Sequence, residues 1–149
     1  DGIGNLTTVI NALGQVTTMA DYNADRQVGK ITEPNGTVTV LIYNLRGWLI
    51  SKSVQVADLK ETVTYDYDAL GQLTKVTMPD TSSVVFDYDD AHRLRSISNS
   101  AGDLTSYALD TRGNRTIETV SDGSGSLRRQ IFRVFDGLNR LRQMTGGTQ

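Results

Sequence analysis

The 149-residue chain carries 15 basic and 17 acidic residues in a well-mixed pattern, a formal charge of −2, which argues against the basic stripe of a nucleic-acid binder. Hydrophobic residues make up 38%, in runs such as Val40-Leu41-Ile42-Tyr43 and Trp48-Leu49-Ile50 that are far too short for a membrane-spanning helix. With no cysteine, disulfide frameworks, thiolate metal sites and cysteine nucleophiles are excluded as well.

Internal repetition organises the chain from its first residues. Asp1-Gly2-Ile3-Gly4-Asn5-Leu6 and Asn11-Ala12-Leu13-Gly14-Gln15-Val16 are two copies of one pattern, ten residues apart. Tyr22-Asn23 with Val28 is a weaker copy, and Pro34-Asn35-Gly36 is a turn signal midway to the next. Tyr43-Asn44-Leu45-Arg46-Gly47-Trp48-Leu49 then gives the pattern in full: an aromatic residue, Asp or Asn, two variable residues, Gly, one variable residue, Leu. It returns at Tyr67-Asp68-Ala69-Leu70-Gly71-Gln72-Leu73 and, with His92 in the glycine slot, at Tyr88-Asp89-Asp90-Ala91-His92-Arg93-Leu94. Between and after these stand the turn signals Pro79-Asp80-Thr81 and Asn99-Ser100-Ala101-Gly102. Leu109-Asp110 with Gly113 and Phe135-Asp136 with Leu141 complete the series. The Asp/Asn anchors fall at 23, 44, 68, 89, 110 and 136, at intervals of 21, 24, 21, 21 and 26 residues. The two long intervals read as loop insertions near Gln55–Lys60 and Asp122–Ser126. Turns thus recur about every 10 residues, the spacing of successive short strands.

Between turns the residues alternate. Val84, Phe86 and Tyr88 fall on one face of a strand, and Val85 and Asp87 on the other. Val63, Tyr65 and Tyr67 repeat this one unit earlier, and Ile131 and Phe135 partly repeat it later. Thr, Val and Tyr dominate, as suits a pleated, half-buried surface, and no window beyond about ten residues has a helical period. The expected fold is all-β: tandem antiparallel hairpins forming one curved sheet, a fragment of a β-shell, with residues 1–149 as one repeat region of a larger protein.

Each turn has a mechanism. The anchor side chain bonds N–H groups ahead of it as an Asx-turn. Two residues follow in type I geometry, and a left-handed glycine returns the chain to a strand with a bulge. Arg26, His92 and Asn139 take the glycine slot in three copies. The structural anchors are therefore Tyr22, Asn23, Tyr43, Asn44, Gly47, Tyr67, Asp68, Gly71, Tyr88, Asp89, Asp110, Gly113, Phe135 and Asp136. Stacking puts Tyr22, Tyr43, Tyr67, Tyr88, Leu109 and Phe135 in one column, and Val28, Leu49, Leu73, Leu94, Arg115 and Leu141 in another. Such columns are expected to bury against neighbouring copies. Arg115 breaks the second, so the Leu109–Arg115 unit is expected to pack less well or to lie at an edge.

Tyr-Asp-x-x-Gly-x-Leu at intervals of about 21 residues resembles the YD repeat of the Rhs (rearrangement hot spot) family. The stretch YDALGQLTKVTMPD (67–80) is close to that family's consensus, and DGIGNLTTVINALGQVTTM (1–19) is similar to its doubled short form. The family includes Rhs polymorphic toxins, the C component of Tc insecticidal toxins, wall-associated proteins and teneurins. The resemblance covers nearly the whole chain and implies an antiparallel sheet spiralling into a hollow shell. In the bacterial toxins that shell encloses a C-terminal toxic domain. The implied function is a structural segment of a secreted or cell-surface shell whose partner is its own C-terminal toxin or effector domain. The family's processing core carries an Asp-Pro-x-Gly-like signature, and neither Pro34 nor Pro79 follows an Asp.

No residue is assigned as catalytic, cofactor-binding or metal-binding, so no enzyme activity and no cofactor are expected. His92, the only histidine, sits in a turn. Gly123-Ser124-Gly125-Ser126 is a loop and not a nucleophile elbow, and Gly2-x-Gly4 lacks the third glycine of a dinucleotide site. Arg128, Arg129, Arg133, Arg140 and Arg142 read as a solvated strand face. Asp66 with Asp68, and Asp87 with Asp89 and Asp90, would converge to suit Ca²⁺ only if neighbouring repeats paired in register. The favoured reading leaves them as turn caps and the solvent side of strands. Asn5, Asn35 and Asn114 open formal glycosylation sequons. The competing function is a carbohydrate- or protein-binding repeat module, with an exposed Trp48 stacking on a glycan. Open sheet edges are expected to drive self-association of the fragment.

Overall fold

In the computed structural model, which describes residues 1–148, thirteen strands account for the regular structure and no described residue is helical. They are β1 (Thr8–Ile10), β2 (Val16–Ala20), β3 (Lys30–Thr32), β4 (Val38–Tyr43), β5 (Leu49–Val56), β6 (Leu59–Tyr67), β7 (Leu73–Thr77), β8 (Ser83–Tyr88), β9 (Leu94–Asn99), β10 (Leu104–Leu109), β11 (Arg115–Ser121), β12 (Leu127–Phe135) and β13 (Leu141–Thr148). They follow one another in chain order in one all-β sheet. The chain divides into two compact units, Asp1–Asp66 with Thr77–Asp80, and Tyr67–Val76 with the residues from Thr81 onward.

In the first unit, β3 to β6 pair antiparallel across Lys30↔Val40, Val40↔Ser53 and Ser53↔Thr62. The insertion near Gln55–Lys60 is not a loop. It lengthens the β5–β6 hairpin, whose pairing continues through Gln55↔Lys60 to Val56↔Leu59 around a two-residue turn with Ala57 at φ 51°. Alternating Thr, Val and polar residues pair as readily as they would lie in a loop, so the extra residues were absorbed as ladder.

In the second unit, β8 to β13 form a continuous antiparallel ladder. One rung runs Asp87, Ser96, Ser106, Thr119, Gln130, Gly147 from β8 to β13, and the rung beside it runs Phe86, Ile97, Thr105, Val120, Arg129. Since paired residues share a face, the Phe86 face carries Ile97, Val120 and Arg129. The opposite face has the polar Asp87–Gly147 rung, with Val85, Leu104, Ile117 and Phe132 on the rungs of the same face. Register shifts fall just before the anchors, at Ile42/Tyr43, Asp87/Tyr88, Ala108/Leu109 and Val134/Phe135. Each is a one-residue bulge produced by the left-handed residue of the following turn.

A single layer has nothing to pack its faces against. Among the described residues no hydrophobic side chain is buried; the one buried residue is Ser53, which shares a 2.9 Å hydrogen bond with Thr62 across β5–β6. The anchor aromatics Tyr22, Tyr43, Tyr67, Tyr88 and Phe135 are half-buried, and Leu141 is 51% exposed. Burial against neighbouring copies is therefore partial. The Leu109–Arg115 unit does not lie at an edge, because β10 and β11 stand between β9 and β12. Arg115 is accommodated by placing its guanidinium 4.0 Å from the centroid of the Tyr107 ring.

Candidate functional site

The chemistry of the chain is concentrated in its turns. In each regular turn the anchor Oδ1 accepts two backbone N–H groups, from the second and fourth residues after it. Asn23 accepts from Asp25 and Gln27, Asn44 from Arg46 and Trp48, and Asp68 from Leu70 and Gln72. Asp89, Asp110 and Asp136 do the same at 2.9–3.0 Å. A backbone pair closes each loop, as in Asp89 N–H to Arg93 O and His92 N–H to Asp89 O. The third residue after the anchor is left-handed throughout: Gly47, Gly71 and Gly113 at φ 77°, 91° and 87°, and Arg26, His92 and Asn139 at 60–62°. Turns at Asp1, Asn11, Asn99 and Asp122 follow the same scheme.

Five anchor carboxylates have their pKa lowered from 3.8. For Asp68 and Asp136 the main cause is a backbone N–H donated to the carboxylate, from Gln72 and Arg140. For Asp89 and Asp110 it is a side-chain donor, Arg93 and Asn114. Asp122, bonded first by Ser124, is lowered to about 2. Donors aimed at the charged form favour it.

The residue that sequence reasoning passed over is the fourth after the anchor, the "variable" position before Leu. It bonds twice. Backwards, Gln27 Oε1 accepts from Asn23 Nδ2, Arg93 Nε donates to Asp89 Oδ2, and Asn114 Nδ2 donates to Asp110 Oδ2. Forwards, the same side chains reach the next turn along that end of the sheet. Gln27 donates to Gly47 O (2.9 Å), Gln72 to His92 O (3.0 Å), Arg93 to Asp110 O (3.0 Å) and Asn114 to Asn139 Oδ1 (3.1 Å). His92 Nδ1 lies 3.1 Å from Gln72 Oε1 and so completes a reciprocal pair. The signal was present in the sequence as a matched polarity. Asn11, Asn23 and Asn99 are followed by an acceptor (Gln15, Gln27, Asp103), and Asp1, Asp89, Asp110 and Asp136 by a donor (Asn5, Arg93, Asn114, Arg140), while Asn44 is followed by Trp48. The tyrosines add a second tie, with Tyr88 donating to Leu73 O at 2.9 Å and Tyr22 to Leu6 O.

The other candidates lie elsewhere. Trp48 is half-buried, not exposed, with the Arg46 guanidinium 5.1 Å from its ring centroid. All five arginines of the basic cluster are paired: Arg128 with Asp122, Arg129 and Arg133 with Glu118, and Arg140 and Arg142 with Asp136. Asp68, Asp87, Asp89 and Asp90 line one recess of the second unit, while register sets Asp87 opposite Ser96 and gives its carboxylate to Arg95 at 2.7 Å. Among the described residues no three His, Cys, Asp or Glu side chains are placed to share a metal ion. A recess of about 410 Å³ in the second unit is lined by Asp68, Gln72, Phe86, Tyr88, Asp89 and His92 among others. The polar groups of Asp68, Gln72 and Asp89 there are engaged in the turns just described. No helix of the described residues is long and apolar enough to cross a membrane.

Residues 15–119 match the Teneurin YD-shell family. No curated protein matches the chain. Among solved structures, the chain is similar to the crystal structure of TcdB2-TccC3-Cdc42 at TM-score 0.75 and 16% identity, over 85% of this chain and 7% of that one. It matches the structure of TcdB2-TccC3 equally, at TM-score 0.75 and 16% identity over 85% and 7%. The Photorhabdus luminescens Tc holotoxin pore matches at TM-score 0.64 and 12% identity, over 90% of this chain and 9% of that one. The chain thus spans less than a tenth of the solved chains it resembles, and at these identities the likeness is one of fold.

Proposed function

The chain belongs to the teneurin YD-shell family, and from that premise we propose that it is a stretch of wall in a secreted or cell-surface shell that encloses the protein's own effector domain. The observation that carries this reading is the sheet without a core. A sheet in which no hydrophobic side chain of the described residues is buried lacks the core of a free-standing packed domain. Turns tied end to end by side chains supply a wall with lateral cohesion instead. The work such a wall does is exclusion, separating what lies on one face from what lies on the other, and it requires no reactive group. The glycan-binding reading loses its main support with Trp48 half-buried under Arg46.

Limited proteolysis of the full-length protein tests the proposal. The effector region is expected to resist cleavage while the repeats are folded and to be cut once mild denaturant opens them. An effector region cut equally fast in both conditions overturns it.

A further inference from the structure

We infer that a turn anchor and the fourth residue after it, where they pair as carboxylate with donor or amide with acceptor, act as one exchangeable module that sets the coupling of that turn to the next. This holds whether or not the wall encloses anything.

The two forms do the same work with opposite polarity. In Asp89·Arg93 the guanidinium donates Nε to Asp89 Oδ2 and Nη1 to Asp110 O. In Asn23·Gln27 the anchor donates Nδ2 to Gln27 Oε1, which leaves Gln27 Nε2 to donate to Gly47 O. In each, one side chain satisfies its own anchor and sends one donor toward the C-terminal neighbour. Asp110·Asn114 compresses both roles into a single amide nitrogen, which donates to Asp110 Oδ2 and Asn139 Oδ1. The sheet ladder fixes strands to strands, and these side chains, joined by Arg112 donating to Gly137 O at 2.8 Å, fix turn to turn on that end. A mixed pair, amide anchor with arginine, would set two donors face to face with no acceptor between them. The arginine would then turn away, and the forward bond would go with it. Asn11, Asn23 and Asn99 are followed at the fourth place by the acceptors Gln15, Gln27 and Asp103, and Asn44 by Trp48, whose indole is a donor only, so that turn stands outside the two forms.

The test is a pair of mirror-image mutant cycles in the whole chain, read by amide exchange at the turns and by thermal melting. Asp89→Asn alone is expected to speed exchange in both the 89–93 and 110–114 turns by roughly fivefold, the factor for one lost hydrogen bond, and to lower Tm. Adding Arg93→Gln is expected to recover most of both effects. In the first unit Gln27→Arg alone is expected to loosen the 23–27 and 44–48 turns, and adding Asn23→Asp to restore them. The second cycle keeps the test alive should the first variant fail to fold. Additive effects in a cycle, or loosening confined to the mutated turn, overturn the inference.

Discussion

At the residue scale the anchor oxygen is the point where chemistry becomes geometry. One Oδ1 takes two N–H groups that a free loop would leave to water, so the five-residue turn is set by a single side chain. This much was legible in the sequence, because Asp or Asn followed by a glycine three places on is a local signature. The fourth residue was not legible in the same way. Its identity changes from Gln27 to Arg93 to Asn114 while its bonds stay equivalent, and only the pairing with the anchor is constant. The anchors also make the two units unequal toward acid. The first unit's regular turns after Asp1 rest on Asn11, Asn23 and Asn44, which do not titrate in this range. The second rests on Asn99 and on five carboxylates, Asp68, Asp89, Asp110, Asp122 and Asp136, all held below 3.8. A carboxylate with a depressed folded pKa stabilises fully above its unfolded value and loses that contribution as pH falls through the folded one. Between pH 3.8 and about 2, where Asp122 titrates, the second unit's turns are therefore expected to loosen first. Amide exchange at Arg93, Asn114 and Ser126 should accelerate in that window while Gln15 and Gln27 hold. Simultaneous acceleration in both sets would show that the anchors are not the acid-sensitive groups.

At the element scale, strands and turns follow from alternation and turn spacing, and the register follows from the bulge that each left-handed residue introduces. A run of Val, Gln, Lys and Thr has no mark that separates ladder from loop until its partner is placed, so the lengthened β5–β6 hairpin has the look of a loop in the sequence. Close approaches between turns are also invisible in the sequence. At the end of the second unit opposite the tyrosine anchors, the 99–103 and 122–126 turns meet through glycine. A Cβ on Gly123 would stand 2.2 Å from Ala101 O, and one on Gly102 would stand 2.9 Å from Gly123 Cα. Gly123-Ser124-Gly125-Ser126 is thus a contact surface whose first glycine is obligatory, not a slack linker. Gly123→Ala is expected to push the two turns apart and destabilise the second unit by about 2 kcal/mol, as overpacking against backbone does. Gly137→Ala, where a Cβ meets nothing within 4 Å, is the control. Equal urea midpoints for the two variants would refute the contact.

At the scale of the whole molecule the decisive fact is a negative one, legible only in the structure: among the described residues there is no hydrophobic core. Composition concealed it, since a 38% hydrophobic content is ordinary, and the alternating pattern shows which face is apolar without showing that nothing lies over it. Stability in such a sheet is a sum over neighbouring strands, so each strand depends on having partners on both sides. In the isolated 149-residue chain β1 and β13 flank the order, and they are unequal. β1 has three residues, too few to template much pairing. β13 has eight, with Leu141 and Met144 at 51% and 61% exposed and glycines at 146 and 147. A long edge with apolar side chains and little charge is a template for another strand. The isolated chain is therefore expected to associate reversibly through β13, giving a mass that rises with concentration in light scattering. Met144→Lys, which places a charge on that edge without touching an anchor, should return it to the monomer. A wild-type chain that stays monomeric at high concentration, or a Met144→Lys chain that associates as strongly as wild type, would show that β13 is not the adhesive edge.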